Sequence, residues 1–146
     1  SLSTINEYFN KNDVDFIFGA VKKKKIYHKY NPEKMYWTFN FYPAHSGGFF
    51  IKRKVHEKIG LYSLKFPCSS DYDFFWRLIK NNKSKGISTK KDEVISVFKS
   101  GGFSARYGVF KHIWEETLIR YHNKQNKFFV TLLLVLRLFR NCYKIF

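Results

Sequence analysis

Asp71 and Asp73 stand at the predicted start of a helix, and they are the residues best suited to proton transfer in this sequence. An ionised carboxylate can accept a proton from a substrate hydroxyl that lies within hydrogen-bond reach. Asp71 is the first candidate for such a general base, and it could equally serve as the N-cap of the helix. Asp73 is the second candidate, and it could instead pair with Arg77 four residues on.

A second group of polar residues surrounds a glycine-rich turn, where His45 is followed by Gly47 and Gly48 and then by Lys52 and Arg53. Glycines allow a backbone to approach a ligand closely, which favours a binding role for the histidine, although a lone histidine is often structural. A cation here could offset negative charge that develops on a bound group. Because successive strand residues face opposite sides, only one of the two cations could do so.

Aromatic and small residues complete the candidate site. Tyr72 and Trp76 could stack on a sugar ring, and core packing is the competing role for Trp76. Gly101, Gly102 and Ser104 could form an ordinary turn followed by an N-cap.

The elements that must position these residues follow from apolar periodicity and from helix and turn signals. The Thr4 to Glu7 spacing matches a capping box and predicts a helix over 5–10. Gly60 is expected to end a helical turn in a left-handed conformation. The remaining expectations are a buried strand at 14–21 with an edge partner at 26–30, a loop at 35–42, a strand at 48–53, a helical turn at 55–59, a loop at 61–70, a helix at 72–80, a strand at 94–98, and helices at 104–121 and 126–140.

Composition sets the broad class. A chain of 146 residues with 45% hydrophobic residues fits one domain with a real core, and it excludes a disordered tail. The net charge of +16 favours polyanionic partners, although lysine-rich runs also arise on solvated loops. Cys68 and Cys142 follow no metal-ligand or disulfide spacing, and a reducing cytoplasm fits them best. No signal peptide is expected, and no apolar run reaches the about 20 residues that span a bilayer.

Four segments occur in a fixed order that resembles the C-terminal half of bacterial family 2 glycosyltransferases. The resemblance covers about residues 14–104, and its most specific part is the Asp-Tyr-Asp helix start with Arg-Leu at a fixed offset. The chain departs from the commoner pattern by having Ser70, and not Glu, before the aspartate. The segments are AHSGGFFIKR at 44–53, KIGLY at 58–62, SDYDFFWRL at 70–78 and GGFS at 101–104.

The resemblance implies an α/β, GT-A-like fold that lacks its N-terminal nucleotide-binding half. It makes Asp71 the general base of an inverting transfer from a nucleotide-sugar donor to a glycan or lipid-linked acceptor, as in polysaccharide synthesis for the cell envelope. His45 would face the donor diphosphate, and Gly101, Gly102 and Ser104 would close the acceptor side. A divalent metal, Mg²⁺ or Mn²⁺, would be held by an Asp-x-Asp motif in the missing half, so this chain alone is expected to bind no metal and to be inactive. Asp13-Val14-Asp15 has the letters of that motif but enters a predicted strand where the family's motif ends one.

The expected domain organisation is an acceptor-side portion at 1–122 and an amphipathic helical tail at 123–146. The tail is expected to contact an anionic membrane on its inner face, with Lys124, Lys127, Arg137, Arg140 and Lys144 reaching headgroups, or else to pack on protein. The protein would then be cytoplasmic, or peripheral on that inner face. The alternatives to a glycosyltransferase are a membrane-peripheral interaction module and a basic nucleic-acid-binding module, although no nucleic-acid-binding signature is present and no nucleic acid is expected.

Overall fold

The computed structural model describes residues 2–37, 42–99 and 107–142, and it confirms the mixed α/β class. The helices are α1 (Leu2–Lys11), α2 (Lys34–Trp37), α3 (Arg53–Ile59), α4 (Ser70–Phe75), α5 (Val109–His122) and α6 (Lys127–Asn141). The strands are β1 (Phe16–Phe18), β2 (Ala20–Lys22), β3 (Ile26–Tyr27), β4 (Phe49–Ile51), β5 (Gly86–Ser88) and β6 (Val94–Val97). A 3₁₀ turn, Ser46–Gly48, precedes β4, and a π-helical segment, Trp76–Asn81, continues α4.

Contacts between Cα atoms divide the chain into two compact units. The first consists of Ser1–Leu61 and Phe74–Lys99, and the second of Tyr62–Asp73 and Ser100–Phe146. This division differs from the domain boundary expected at residue 122, since α5 and α6 belong to the same unit.

The first unit contains two three-stranded sheets, with strand orders β4-β1-β5 and β3-β2-β6. The central strands β1 and β2 follow one another directly in the chain and are separated only by Gly19. Each central strand has one antiparallel and one parallel neighbour, with Ile17 opposite Phe50 and Ile87, and Val21 opposite Tyr27 and Ser96. The apolar run at 14–21 is buried, as the sequence predicts. It forms two strands in two sheets, however, and not the single strand expected.

Aromatic rings fill the core of the first unit. The Phe18 ring lies 5.3 Å from that of Phe75 and 5.1 Å from that of Phe49, and it stacks on Tyr30 at 5.5 Å. The Phe16 ring meets the edge of Tyr30 at 5.4 Å. Part of the aromatic excess of the chain therefore packs inside this unit.

Two glycines are required where backbone and core approach each other. A Cβ atom at Gly48 would overlap the carbonyl oxygen of Gly19, and one at Gly86 would overlap the Phe16 ring. The Gly19 N–H donates a hydrogen bond to the Gly48 carbonyl at 2.7 Å, which holds the two backbones together. The Gly48–Gly19 contact lies at the junction between the two sheets, and the Gly86–Phe16 contact lies within the first sheet.

The end of α3 is as predicted. Gly60 has φ +88°, and its N–H donates to the carbonyl of His56 at 3.0 Å. Arg77 satisfies the next carbonyls, since its guanidinium donates to Ile59 at 2.7 Å and to Leu61 at 2.8 Å. Arg77 therefore holds the backbone that follows α3.

Other expectations need correction. The capping box is wrong, because α1 begins before Thr4, and Glu7 instead pairs with Lys11 at 3.4 Å. The loop expected at 35–42 begins as a helical turn, α2, with Met35 in the core. The strand expected at 48–53 is shorter than predicted, since α3 already begins at Arg53. Strand β5 was not predicted at all.

Candidate active site

Asp71 lies in the first turn of α4, one residue after the helix begins at Ser70. Its side chain is half-buried, and its Oδ1 accepts a hydrogen bond from the Tyr72 N–H at 2.9 Å. The N-cap role is therefore wrong, because the helix starts before this residue. A partly exposed carboxylate at a helix N-terminus is suited to meet a substrate hydroxyl in its ionised form.

Asp73 occupies a different environment. It is 4% exposed, and the four residues that follow Asp71 in α4 are all buried. A general base must come within hydrogen-bond reach of its substrate. The structure therefore favours Asp71 over Asp73 for proton transfer. The pairing of Asp73 with Arg77 stays a prediction.

A buried carboxylate from α5 holds the start of α4. Glu115 Oε2 accepts hydrogen bonds from the N–H groups of Cys68 at 2.9 Å and Ser69 at 3.0 Å. Such a negative charge is favourable at a helix N-terminus. Burial, together with the Glu115 hydrogen bond, raises the pKa of the Cys68 thiol, so this buried cysteine stays protonated. The position of Asp71 thus depends on Glu115.

Tyr72 and Trp76 lie in the core and offer no exposed ring, which corrects their expected role in sugar stacking. Tyr72 is fully buried beside Arg120, whose guanidinium carbon lies 5.9 Å from the ring centre. The Trp76 ring is buried edge-on to Tyr36 at 5.4 Å. Arg120 also donates to Gln125 Oε1 at 3.0 Å, and burial lowers the pKa of its guanidinium.

The acidic pair of α5, Glu115 and Glu116, is a feature whose role the sequence analysis missed. It read as a polar patch on a helix, yet both carboxylates are buried. Glu116 Oε2 accepts from Arg137 Nη2 of α6 at 2.6 Å. Burial raises the pKa of Glu116, and the ion pair with Arg137 opposes this. Helices α5 and α6 contact each other and form a helical hairpin. Arg137 faces the interior of this hairpin, which corrects its expected role at lipid headgroups. No local sequence pattern indicated this ion pair, because Glu116 and Arg137 lie 21 residues apart on two helices.

His45 caps the 3₁₀ turn of the first unit. Its Nδ1 accepts a hydrogen bond from the Gly47 N–H at 3.2 Å, so the neutral imidazole carries its proton on Nε2. The ring lies between two aromatic side chains, 4.9 Å from the Phe98 ring and 5.9 Å from the Tyr27 ring.

Two lysines lie over the same aromatic rings. Lys23 Nζ is 4.7 Å from the centre of the Phe98 ring, and Lys25 Nζ is 5.4 Å from that of Tyr27. Together with His45 these residues form a basic–aromatic cluster, defined by Lys23, Lys25, Tyr27, His45 and Phe98. Its two cations can act together on an anion.

The glycines of this turn have separate roles. Gly47 is exposed, and its carbonyl accepts a hydrogen bond from Ser96 Oγ at 2.8 Å. Gly48 is buried against Gly19, so close approach to a ligand does not explain its lack of a side chain. Only Gly47 keeps its expected place on an accessible surface.

Arg53 does not alternate with Lys52 along a strand, which corrects that expectation. It begins α3, its side chain is 92% exposed, and Nε pairs with Glu57 at 2.8 Å. Lys52 Nζ lies 5.9 Å from the Phe9 ring centre. Neither contact places Lys52 or Arg53 beside the basic–aromatic cluster.

The remaining candidates fall in different places. Gly101, Gly102 and Ser104 lie outside the described residues. Asp71 belongs to the second unit and the basic–aromatic cluster to the first.

Asp13 and Asp15 both interact with Lys85. Its N–H donates to Asp15 Oδ2 at 2.8 Å, and its Nζ lies 3.5 Å from Asp13 Oδ2. Across residues 2–37, 42–99 and 107–142, no three His, Cys, Asp or Glu side chains are grouped to hold a metal ion.

No protein family model, curated protein or solved structure matches this chain.

Proposed function

We propose that the chain is the acceptor-side part of a glycosyltransferase with a GT-A-like fold, in which Asp71 is the general base. The observation that carries the proposal is the environment of the two aspartates, since Asp71 is accessible at a helix N-terminus whereas Asp73 is buried. The ordered motifs at 44–53, 58–62 and 70–78 support the same assignment.

In this reaction the Asp71 carboxylate accepts the proton of the acceptor hydroxyl as its oxygen attacks the anomeric carbon. The bond from that carbon to the diphosphate breaks, and the nucleoside diphosphate leaves with the electron pair. A carboxylate suits this step because it is ionised at neutral pH. The Glu115 hydrogen bonds to Cys68 and Ser69 would keep the helix start, and thus Asp71, in place.

The basic–aromatic cluster supports binding of a phosphorylated donor. Its two lysines, which lie beside the imidazole of His45, can interact with diphosphate oxygens. The divalent metal of such enzymes would offset charge on the diphosphate, and the Asp-x-Asp motif that holds it would lie outside this chain.

A donor-turnover assay tests this function. The protein expressed from the complete gene should release a nucleoside diphosphate from a nucleotide sugar in the presence of Mg²⁺ or Mn²⁺, and the 146-residue chain alone should release none. Metal-dependent turnover by the isolated chain, or none by the complete protein across a panel of donors with extracted glycolipid as acceptor, would contradict it.

Single-stranded nucleic-acid binding is a second candidate, and the basic–aromatic cluster favours it too. Cations beside exposed rings can follow a phosphate backbone while bases stack. Binding of a fluorescent oligonucleotide should then fall steeply with salt and be indifferent to nucleotide sugars. Competition by a nucleotide sugar would favour the glycosyltransferase.

A further inference from the structure

Helix α6 is apolar on two faces, and only one of them is covered. Val130 and Leu133 are buried. A second row of apolar residues, spaced by three or four positions along the helix, stays exposed, with Phe128 at 81% and Phe139 at 72%. The row consists of Phe128, Leu132, Val135, Leu136 and Phe139. A helix that is apolar nearly all round normally has both faces covered.

Helix α5 contributes apolar residues to the same side of the hairpin. Trp114 is 56% exposed, and Leu118 is exposed one turn later. The hydrogen bond between Tyr121 and Thr131, at 2.7 Å, places the adjacent turns of the two helices side by side. Because Leu118 lies one turn before Tyr121 and Val135 one turn after Thr131, the exposed rows of the two helices adjoin. We call these seven residues the hairpin apolar surface.

The charges around this surface have one sign. Glu115 and Glu116 are the only acidic residues in the sequence from 100 to 146, and both are buried. Lys111, Lys124 and Lys127 are exposed on the same two helices or on the turn between them. The hairpin therefore presents apolar residues and cations to solvent and keeps its carboxylates inside.

We propose that the hairpin apolar surface docks on an anionic lipid bilayer. A bilayer takes up the apolar row, while its headgroups pair with the lysines and its interface accommodates Trp114. A second copy that docks through the same surface fits less well, because it would bring the lysines of two hairpins together and both acids of each hairpin are buried. The proposal does not rest on glycosyl transfer.

The docking is peripheral. In the described parts of the chain, no helix is long and apolar enough to cross a membrane. The helices lie in the plane of the interface, with the buried pair Glu116 and Arg137 on the side away from lipid. Arg137 thus holds the hairpin together and does not reach headgroups.

Vesicle flotation of the 146-residue chain tests the proposal. The chain should float with vesicles of phosphatidylcholine mixed with phosphatidylserine at low salt, and much less with phosphatidylcholine alone or at high salt. The double variant Leu132→Gln, Leu136→Gln should partition at least about tenfold more weakly. Leu64→Gln is the matched control, since Leu64 is 96% exposed in the same unit but outside the surface, and it should float like the wild type.

The charge requirement has its own pair of variants. Lys124→Gln with Lys127→Gln should weaken partition into anionic vesicles by roughly thirtyfold. Lys54→Gln with Lys58→Gln removes two exposed lysines from α3 and should change it little. Equal losses in both pairs would show that net charge alone acts, and would overturn docking by this surface.

Two measurements on the wild type do not depend on whether a variant folds, namely fluorescence quenching and flotation itself. Lipid with brominated chains should quench the wild-type tryptophan fluorescence, and Trp114→Phe should remove most of that quenching. The proposal is overturned if the wild type fails to float with anionic vesicles at low salt. It is also overturned if a folded Leu132→Gln, Leu136→Gln variant floats normally. If sedimentation then shows that this variant has dissociated a wild-type dimer, the surface is covered by a second copy and not by lipid.

Discussion

Glu115 is the buried side chain on which the start of α4 depends. Its carboxylate receives two backbone N–H groups, so Glu115→Ala leaves both donors without that acceptor. We expect the free energy of unfolding to fall by about 2–4 kcal/mol in urea titrations. Glu57→Ala removes an exposed ion pair with Arg53 and should cost less than about 1 kcal/mol. Similar losses in the two variants would contradict the role of Glu115.

Tyr30 gives the first unit a measurable dependence on alkaline pH. Burial, with a smaller contribution from Glu33, raises the pKa of Tyr30 to about 12, from the usual value of about 10. Between these values the unfolded chain has lost the phenolic proton while the folded protein retains it. The folded state then binds more protons, so the free energy of unfolding falls as the pH rises through this range.

The contribution of Tyr30 is obtained from variants, because other groups also titrate at high pH. Tyr30→Phe should reduce the loss of stability between about pH 10 and pH 12 by on the order of 1 kcal/mol, since the phenol is only partly shielded from solvent. An equal pH dependence in Tyr30→Phe and wild type would contradict the burial argument.

At the scale of elements, the sequence predicted the features that depend on neighbouring residues, such as buried apolar runs and helix ends. The run at 14–21 had to be buried, and it supplies the centre of both sheets. Gly60 ends α3 as expected, and Asn126 caps α6 by accepting from the Phe129 N–H at 3.0 Å. Strand β5 was missed because its three residues carry little pattern, and its parallel pairing with β1 depends on a distant segment.

The junction of the two sheets yields a prediction at this scale. Gly48→Ala places a methyl group against the Gly19 carbonyl, and the backbone there cannot move without disturbing β1 and β2. We expect a loss of about 1–3 kcal/mol in thermal or urea unfolding. Gly108→Ala is the control, because nothing lies within 4 Å of its would-be Cβ. It should cost no more than about 1 kcal/mol as an altered N-cap. Equal effects would show that the junction is not tightly packed.

At the scale of the whole molecule, the sequence predicted which residues are candidates for the site but not which of them are buried. It located Asp71 at a helix start, which depends on nearby residues. It could not decide that Tyr72 and Trp76 are core residues, because burial depends on partners such as Arg120 and Tyr36 far along the chain. The acids Glu115 and Glu116 were missed for the same reason.

The measurement that tests the central claim most directly is sugar transfer by the complete protein carrying Asp71→Asn. The amide keeps the shape and an oxygen acceptor for the Tyr72 N–H but cannot take up the acceptor's proton. We predict that kcat falls by about 10²–10⁴-fold while donor affinity and thermal stability stay close to those of the wild type. Asp13→Asn, at an exposed aspartate paired with Lys85, should transfer normally. Transfer near the wild-type rate by a folded Asp71→Asn protein would contradict the assignment of Asp71 as the base.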